Sequence, residues 1–133
     1  LSKIREKLDA IEGSTIKLYN ANAATLLESL RMGCHGYSGV MANFHPDLYS
    51  KLIKANEEGD NEKAEFLQNL VGFFSVTECQ CYPVNAKYYL GLDGLDITYN
   101  SRTRNPAELS ESRRLEIEQM YKFTKEIEKK YSL

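Results

Sequence analysis

The chain has 133 residues, a net charge of −2 at pH 7, 42% hydrophobic residues and 27% charged residues. These values predict one globular domain, and the lack of a strongly basic patch excludes the usual class of duplex-binding proteins. No apolar run approaches the roughly 18 residues that a membrane-spanning helix needs, so no membrane span is expected. The odd number of cysteines favours a reducing compartment, and we expect a cytoplasmic location.

The chain begins with a predicted amphipathic helix. Apolar residues spaced four and three apart predict a helix over residues 2–12, with Ser2 as a candidate N-cap and Gly13 as its end. The helical pattern is already under way at the first residue, and there is no initiator Met. We therefore expect the chain to be a segment of something longer.

Two short strands follow, separated by a second helix. Residues 15–19 are rich in β-formers, and residues 36–40 are predicted as a second short strand. Between them lies a helix that Asn22 can cap and Gly33 can end. A strand–helix–strand unit of this length predicts parallel strands joined by a right-handed crossover. Two parallel strands are too few for a stable sheet, so the unit predicts further partner strands.

Beyond residue 40 the sequence predicts four helices. Pro46 begins the first and Gly59 ends it, Asp60 caps the second, and Pro83 begins a short third helix. Residues 93–109 show no period and predict a loop. The last helix begins at Ser110 or Ser112, and its predicted apolar stripe consists of Leu115, Met120, Phe123 and Ile127.

Small and amide side chains collect where the two predicted strands end. Asn20, Ala21 and Asn22 follow the first strand, and Gly39 lies near the end of the second. Carboxyl ends of parallel strands are where α/β folds place their ligands, which makes these residues candidates for binding. The alternatives are a turn role for Asn20, helix capping for Asn22 and a crowded interior at Gly39.

The cysteine and histidine content argues against a metal centre. Cys34, Cys79 and Cys81 are an odd number without a C-x-x-C pair, which predicts free thiols in a reducing compartment. With only His35 and His45 besides, a four-ligand site is not expected. We predict neither a metal nor a cofactor.

The stretch IKLYNANAATLLESLRMGCHGYSGVMANFHPDL, with the later YPVNAKYYL, resembles the C-terminal half of the dihydrodipicolinate synthase / N-acetylneuraminate lyase family. The resemblance implies an α/β fold, the last two strands of a (β/α)8 barrel over residues 1–58, followed by a helical appendage over residues 59–133. It also implies a class I aldolase or lyase that forms a Schiff base between a barrel lysine and pyruvate, needs no cofactor and assembles as a homotetramer. The second substrate would be an aldehyde, or the aldol product in the cleavage direction.

The resemblance carries a few residues over to this chain. Ser38 matches the position whose backbone contacts the bound 2-oxo acid, with Gly39 beside it, and the sequence from Asn20 to Asn22 matches the substrate-recognition rim. Sialic-acid lyases have acidic residues where this chain has Ala23 and Ala24, which argues against a polyhydroxylated sugar acid. Ala21 replaces a glycine of other members, which leaves the second substrate open.

The family's nucleophilic lysine would precede Leu1, so we expect no catalytic residue in this segment and no activity from it alone. Lys17 and Lys87 are not expected to replace that lysine, because a Schiff-base lysine needs a desolvated pocket that lowers its pKa.

An alternative is a freestanding helical interaction module. Its motivation is the set of tyrosines in the later helices (Tyr82, Tyr88, Tyr89, Tyr121 and Tyr131), because aromatic residues are enriched at interfaces. Packing between helices explains the same residues more simply.

One loop motif, NSRTRNP (residues 100–106), stays outside both hypotheses. Its Arg102 and Arg104 suit carboxylates, and the alternative is a solvated loop or a subunit contact.

Overall fold

The computed structural model describes residues 1–131, except for the side chains of residues 78 and 79. Two short strands and six α-helices are linked by 3₁₀ turns. In chain order they are α1 (Ser2–Ala10), β1 (Tyr19–Asn20), α2 (Leu26–Arg31), β2 (Gly36–Tyr37), α3 (Pro46–Glu57), α4 (Asn61–Phe74), α5 (Val84–Leu92) and α6 (Glu111–Lys130).

The strands are parallel, as the sequence predicted, with Tyr19 opposite Gly36 and Asn20 opposite Tyr37. They are shorter than predicted: residues 15–18 and 38–40 are not strand. The first segment starts late because the Leu18 amide donates to His35 Nδ1 (3.2 Å) and not to a backbone carbonyl. The second ends early because residues 40–43 turn into a 3₁₀ helix.

Helix α1 contributes no buried residue to the structure. Its N-cap is Leu1, without a side-chain hydrogen bond, so the prediction that Ser2 caps it was wrong. The apolar residues of its pattern, Ile4, Leu8 and Ile11, are only half-buried by the described part of the chain.

Helices α3 and α4 form an antiparallel pair around a tight turn. Gly59 has φ +75°, a conformation that favours glycine, and the Asp60 carboxylate accepts from the Lys63 amide (3.1 Å). Leu48, Leu52, Leu67 and Val71 of this pair belong to one core cluster that also contains residues of α2, α5 and α6. A division of the chain at residue 58 stays a prediction, since the helices on both sides of it share this core.

Of the two predicted caps of α6, the structure shows Ser110, whose side chain accepts from the Arg113 amide. Its buried residues are Ile117, Met120, Thr124 and Ile127. The predicted stripe was therefore wrong at two positions, because Leu115 is 50% exposed and Phe123 is 45% exposed. The buried positions recur every three or four residues along one helical face, and Leu115 and Phe123 lie off it.

The tyrosines of the later helices mostly pack inside the fold. Tyr89 is 1% exposed and meets both Phe44 and Tyr121 edge-on at 5.4 Å. The Tyr88 hydroxyl donates to Glu118 (2.7 Å), and Tyr131 packs on Phe66. The observation that motivated an interaction module therefore has a packing explanation.

Cys34 and Cys81 are buried thiols without a disulfide, whereas the Cys79 side chain lies outside the described residues. Within the described part of the chain, no three His, Cys, Asp or Glu side chains group as a metal site requires. A helix long and apolar enough to cross a membrane is likewise not found among the described residues.

Candidate functional site

An open cleft of about 670 Å³ lies at the carboxyl end of β1. Asn20, the last residue of β1, lines it together with Ala21 and Asn22 just beyond the strand. Other residues complete its walls. Those others are Ile4 and Lys7 of α1, Leu18, Tyr19, Ala24, Cys34, Ser75 and Val76. Part of the predicted rim therefore lies on a concave surface large enough for a small molecule.

Asn20 holds the strand end in shape. Its side chain is 7% exposed, and Nδ2 donates to the Thr25 carbonyl (3.2 Å), Thr25 Oγ1 (3.1 Å) and Ser29 Oγ (2.9 Å). Its Oδ1 accepts from the Asn22 amide (2.8 Å). Both ends of the carboxamide are thus occupied inside the protein, which agrees with the alternative of a turn role.

Asn22 is exposed and caps the turn before α2. Its Oδ1 accepts from the Ala24 amide (3.0 Å), the capping role that the sequence left as an alternative. No described residue accepts a hydrogen bond from its side-chain nitrogen, Nδ2. The neighbouring Ala21 is exposed and presents only a methyl group to the cleft.

Ser38 and Gly39 adjoin this rim through the backbone. The Ser38 amide donates to the Asn20 carbonyl (2.8 Å), which extends the parallel ladder by one bond. Neither residue lines the cleft itself. The structure brings all five predicted residues to the ends of the two strands and leaves two of them beside the cleft.

Gly39 occupies a place where no side chain fits. A Cβ there would overlap the Tyr37 hydroxyl and the Ala21 carbonyl oxygen. The φ of Gly39 is −121°, so the requirement comes from space and not from backbone conformation. Gly39 therefore has the crowded surroundings that the sequence left as its alternative role.

A glutamine of α4 clamps the segment that follows β1. Gln68 Oε1 accepts from the Leu27 amide (2.8 Å), and Gln68 Nε2 donates to the Ala23 carbonyl (2.9 Å). The Leu27 amide lies in the first turn of α2, where backbone donors lack helical partners. This clamp fixes the rim against the α3–α4 pair.

Stacked aromatic rings support the end of β2. Tyr37 stacks on Tyr49 with ring centroids 4.2 Å apart, and Tyr49 stacks on His45 at 5.6 Å. His45 is 2% exposed, and neither ring nitrogen has a hydrogen-bond partner among the described residues. Burial lowers the pKa of His45 to about 3, so this imidazole is neutral at physiological pH.

The cleft contains residues that the sequence did not single out. Lys7 is the lysine that α1 contributes, and Ser75 and Val76 come from the turn after α4. For α1, the sequence signal was the i, i+3 spacing of Ile4 and Lys7, which places both on one face of the helix. That spacing does not reveal which part of the protein this face contacts. Lys17 is exposed and lies outside the cleft, and Lys87 donates to the Asn100 carbonyl, so neither is placed as a nucleophile.

Comparisons with known proteins agree on one family. A profile of the dihydrodipicolinate synthetase family matches residues 3–124. A structure described as a dihydrodipicolinate synthetase from Pseudomonas aeruginosa is similar, with a TM-score of 0.77 and 22% identity. A second is the chloride-inhibited dihydrodipicolinate synthase from Acinetobacter baumannii complexed with pyruvate, with a TM-score of 0.76 and 23% identity.

Each similarity covers 92% of this chain and 42% of the other protein, so the chain spans less than half the length of either structure. A search of curated proteins gave no match. At these identities the structural likeness shows the fold alone.

Proposed function

Because the chain belongs to the dihydrodipicolinate synthetase family, we propose that it is the C-terminal portion of a pyruvate-dependent Schiff-base aldolase or lyase. In this proposal β1 and β2 are the last two strands of a (β/α)8 barrel, and the later helices form the appendage. The observation that carries it is the rim at the carboxyl ends of two parallel strands, where such barrels place their active sites.

Two features of the structure support the placement in a larger barrel. A parallel sheet of two strands has unpaired edges and open faces, which barrels cover with neighbouring strands and helices. Helix α1 has no buried residue of its own, as expected if its apolar face packs on strands outside this chain. The solved relatives are more than twice as long as the portion that this chain matches.

The chemistry we propose begins with a lysine upstream of Leu1. Its neutral amine attacks the ketone carbon of pyruvate, and loss of water leaves the Schiff base. This step requires a desolvated amine with a lowered pKa. Neither Lys17, which is exposed, nor Lys87, which is bonded to a loop carbonyl, offers that environment.

This chain contributes the walls of the 2-oxo acid pocket in the proposal. The backbone at Ser38 and Gly39 borders the bound acid, and Gly39 lets the strand ends pack closely. Asn20 shapes the rim, and Ala21 and Asn22 face the second substrate, an aldehyde or its aldol product. We propose that the natural enzyme is a cytoplasmic homotetramer that needs no cofactor, and that this segment alone is inactive.

The test replaces Ala21 with leucine in the natural polypeptide that carries this chain. A larger side chain on the cleft wall should raise KM for the second substrate about tenfold or more, since it removes volume from the pocket. The matched control is Ala107→Leu, at an exposed position outside the cleft, which should leave KM unchanged. An unchanged KM in the Ala21 variant would remove this rim from the substrate site.

A further inference from the structure

A second cleft, of about 430 Å³, lies between the start of α5 and the loop that contains NSRTRNP. Pro83 and Lys87 line it from the helix side, and Asn100, Ser101, Arg102 and Thr103 line it from the loop side. Two of these side chains are cationic, two carry hydroxyl groups, one is an amide and none is a carboxylate. This composition stands out in a chain whose net charge is −2.

The loop wall of this cleft is held in place by hydrogen bonds. Lys87 Nζ donates to the Asn100 carbonyl, which ties the loop to α5. Ser101 Oγ accepts from the Thr103 amide (3.1 Å) and lies 3.1 Å from Thr103 Oγ1. Arg102 and the two hydroxyl groups are therefore presented on a turn that Lys87 ties to α5.

The two arginines of the loop differ in their surroundings. Arg104 pairs with Glu108 (3.4 Å) and does not line the cleft. Arg102 is exposed, lines the cleft and has no acidic partner among the described residues. The charge of Arg104 is therefore neutralised by Glu108 in the same part of the loop. Among the described residues Arg102 has no such carboxylate, and Lys87 is its charged neighbour on the cleft.

We propose that this cleft binds a small dianionic oxyanion, a phosphate or a dicarboxylate. The planar guanidinium of Arg102 matches two oxygens of such a ligand, and Lys87 supplies a second positive charge. Of the Ser101 and Thr103 hydroxyl groups, one donates to the other, and the second adds a neutral donor. The site lies on the helical appendage, and its ligand is separate from the 2-oxo acid bound at the strand ends.

The test measures binding of inorganic phosphate and of succinate to the natural polypeptide by isothermal titration calorimetry. We expect saturable binding of at least one of the two with a stoichiometry of one per chain. Arg102→Gln and Lys87→Gln should each weaken it about tenfold or more, because each removes a charged donor.

Arg104→Gln is the matched control, since it makes the same change in charge two residues away. It should leave the affinity within about twofold, because that guanidinium is already paired. If Arg104→Gln and Arg102→Gln lowered the affinity for the anion equally, the attraction would be a general electrostatic one and the proposed site would be wrong. The absence of saturable binding of both anions would overturn it as well.

Discussion

Gly39 is the residue on which the packing of the two strand ends depends most directly. An alanine Cβ would overlap the Tyr37 hydroxyl and the Ala21 carbonyl oxygen, so Gly39→Ala must push the strand ends apart. Overpacking of this kind typically costs about 1–3 kcal/mol. We expect chemical denaturation to show a lower free energy of unfolding by that amount.

Gly91 provides the control for this substitution. It lies in α5, and a Cβ there meets nothing within 4 Å. Because alanine favours a helix over glycine, Gly91→Ala should stabilise the protein by about 0.5–1 kcal/mol. If both substitutions changed the free energy of unfolding in the same direction, crowding at Gly39 would not explain the loss of stability.

His45 makes the stability of the fold depend on pH. Burial lowers its pKa from 6.5 to about 3, so between these values the unfolded chain binds a proton that the folded chain does not. The free energy of unfolding should therefore fall as pH drops from about 6.5 towards 3. At about 1.4 kcal/mol for each pKa unit, the loss over the whole window amounts to several kcal/mol.

The measurement is urea denaturation at pH values from 7 to 4, comparing the unmodified protein with His45→Phe. Phenylalanine suits the aromatic surroundings of Tyr49, Phe74 and Tyr89 and cannot be protonated. The variant should lose less stability on acidification than the unmodified protein. Identical pH profiles for the two proteins would contradict the assignment to His45.

At the scale of elements, the strand pair shows what periodicity can and cannot predict. The sequence correctly predicted two parallel strands around a helix, but it gave them five residues each where the structure has two. Strand length depends on which backbone groups find partners. The Leu18 amide bonds a histidine ring seventeen residues away, and no local pattern reveals that contact.

Helix α6 illustrates a related limit. Its existence and a serine cap at residue 110 or 112 follow from the sequence, because capping is local, and the structure selects Ser110. The sequence does not reveal which face of α6 is buried, because Leu115 and Phe123 are as apolar as the residues that are buried. The choice of face depends on how the helix sits on its neighbours, where Thr124 is buried and Leu115 is not.

The clamp between α4 and α2 yields a prediction at this scale. Gln68→Met keeps the side-chain length but leaves the Leu27 amide without its partner, while the Ala23 carbonyl keeps the Leu26 amide as its one donor. A buried group that loses its hydrogen bond costs about 1–3 kcal/mol, so we expect a destabilisation of that size by thermal or urea unfolding.

Gln119→Met, at an exposed position of α6, is the same chemical change without such bonds and should alter stability by less than about 0.5 kcal/mol. Comparable losses from the two substitutions would show that the clamp does not stabilise the fold.

At the scale of the whole molecule, the candidate site was predictable in outline. Asn20, Ala21, Asn22 and Gly39 were identified because strand order fixes which ends meet, and Ser38 because the family resemblance implies it. The sequence did not reveal that the side-chain amide of Asn20 donates to Thr25 and Ser29, or that Lys7 of α1 lines the cleft. Those facts depend on the placement of helices relative to strands, which single-sequence patterns do not encode.

The central claim is that this chain completes a Schiff-base enzyme whose lysine lies upstream of Leu1. The most direct test is the intact mass of the natural polypeptide after incubation with pyruvate and reduction with borohydride, followed by peptide mapping. The account predicts one reduced pyruvate adduct per chain, on a lysine that precedes Leu1. A polypeptide that gains no adduct, or an adduct on a lysine within the sequence described here, would contradict it.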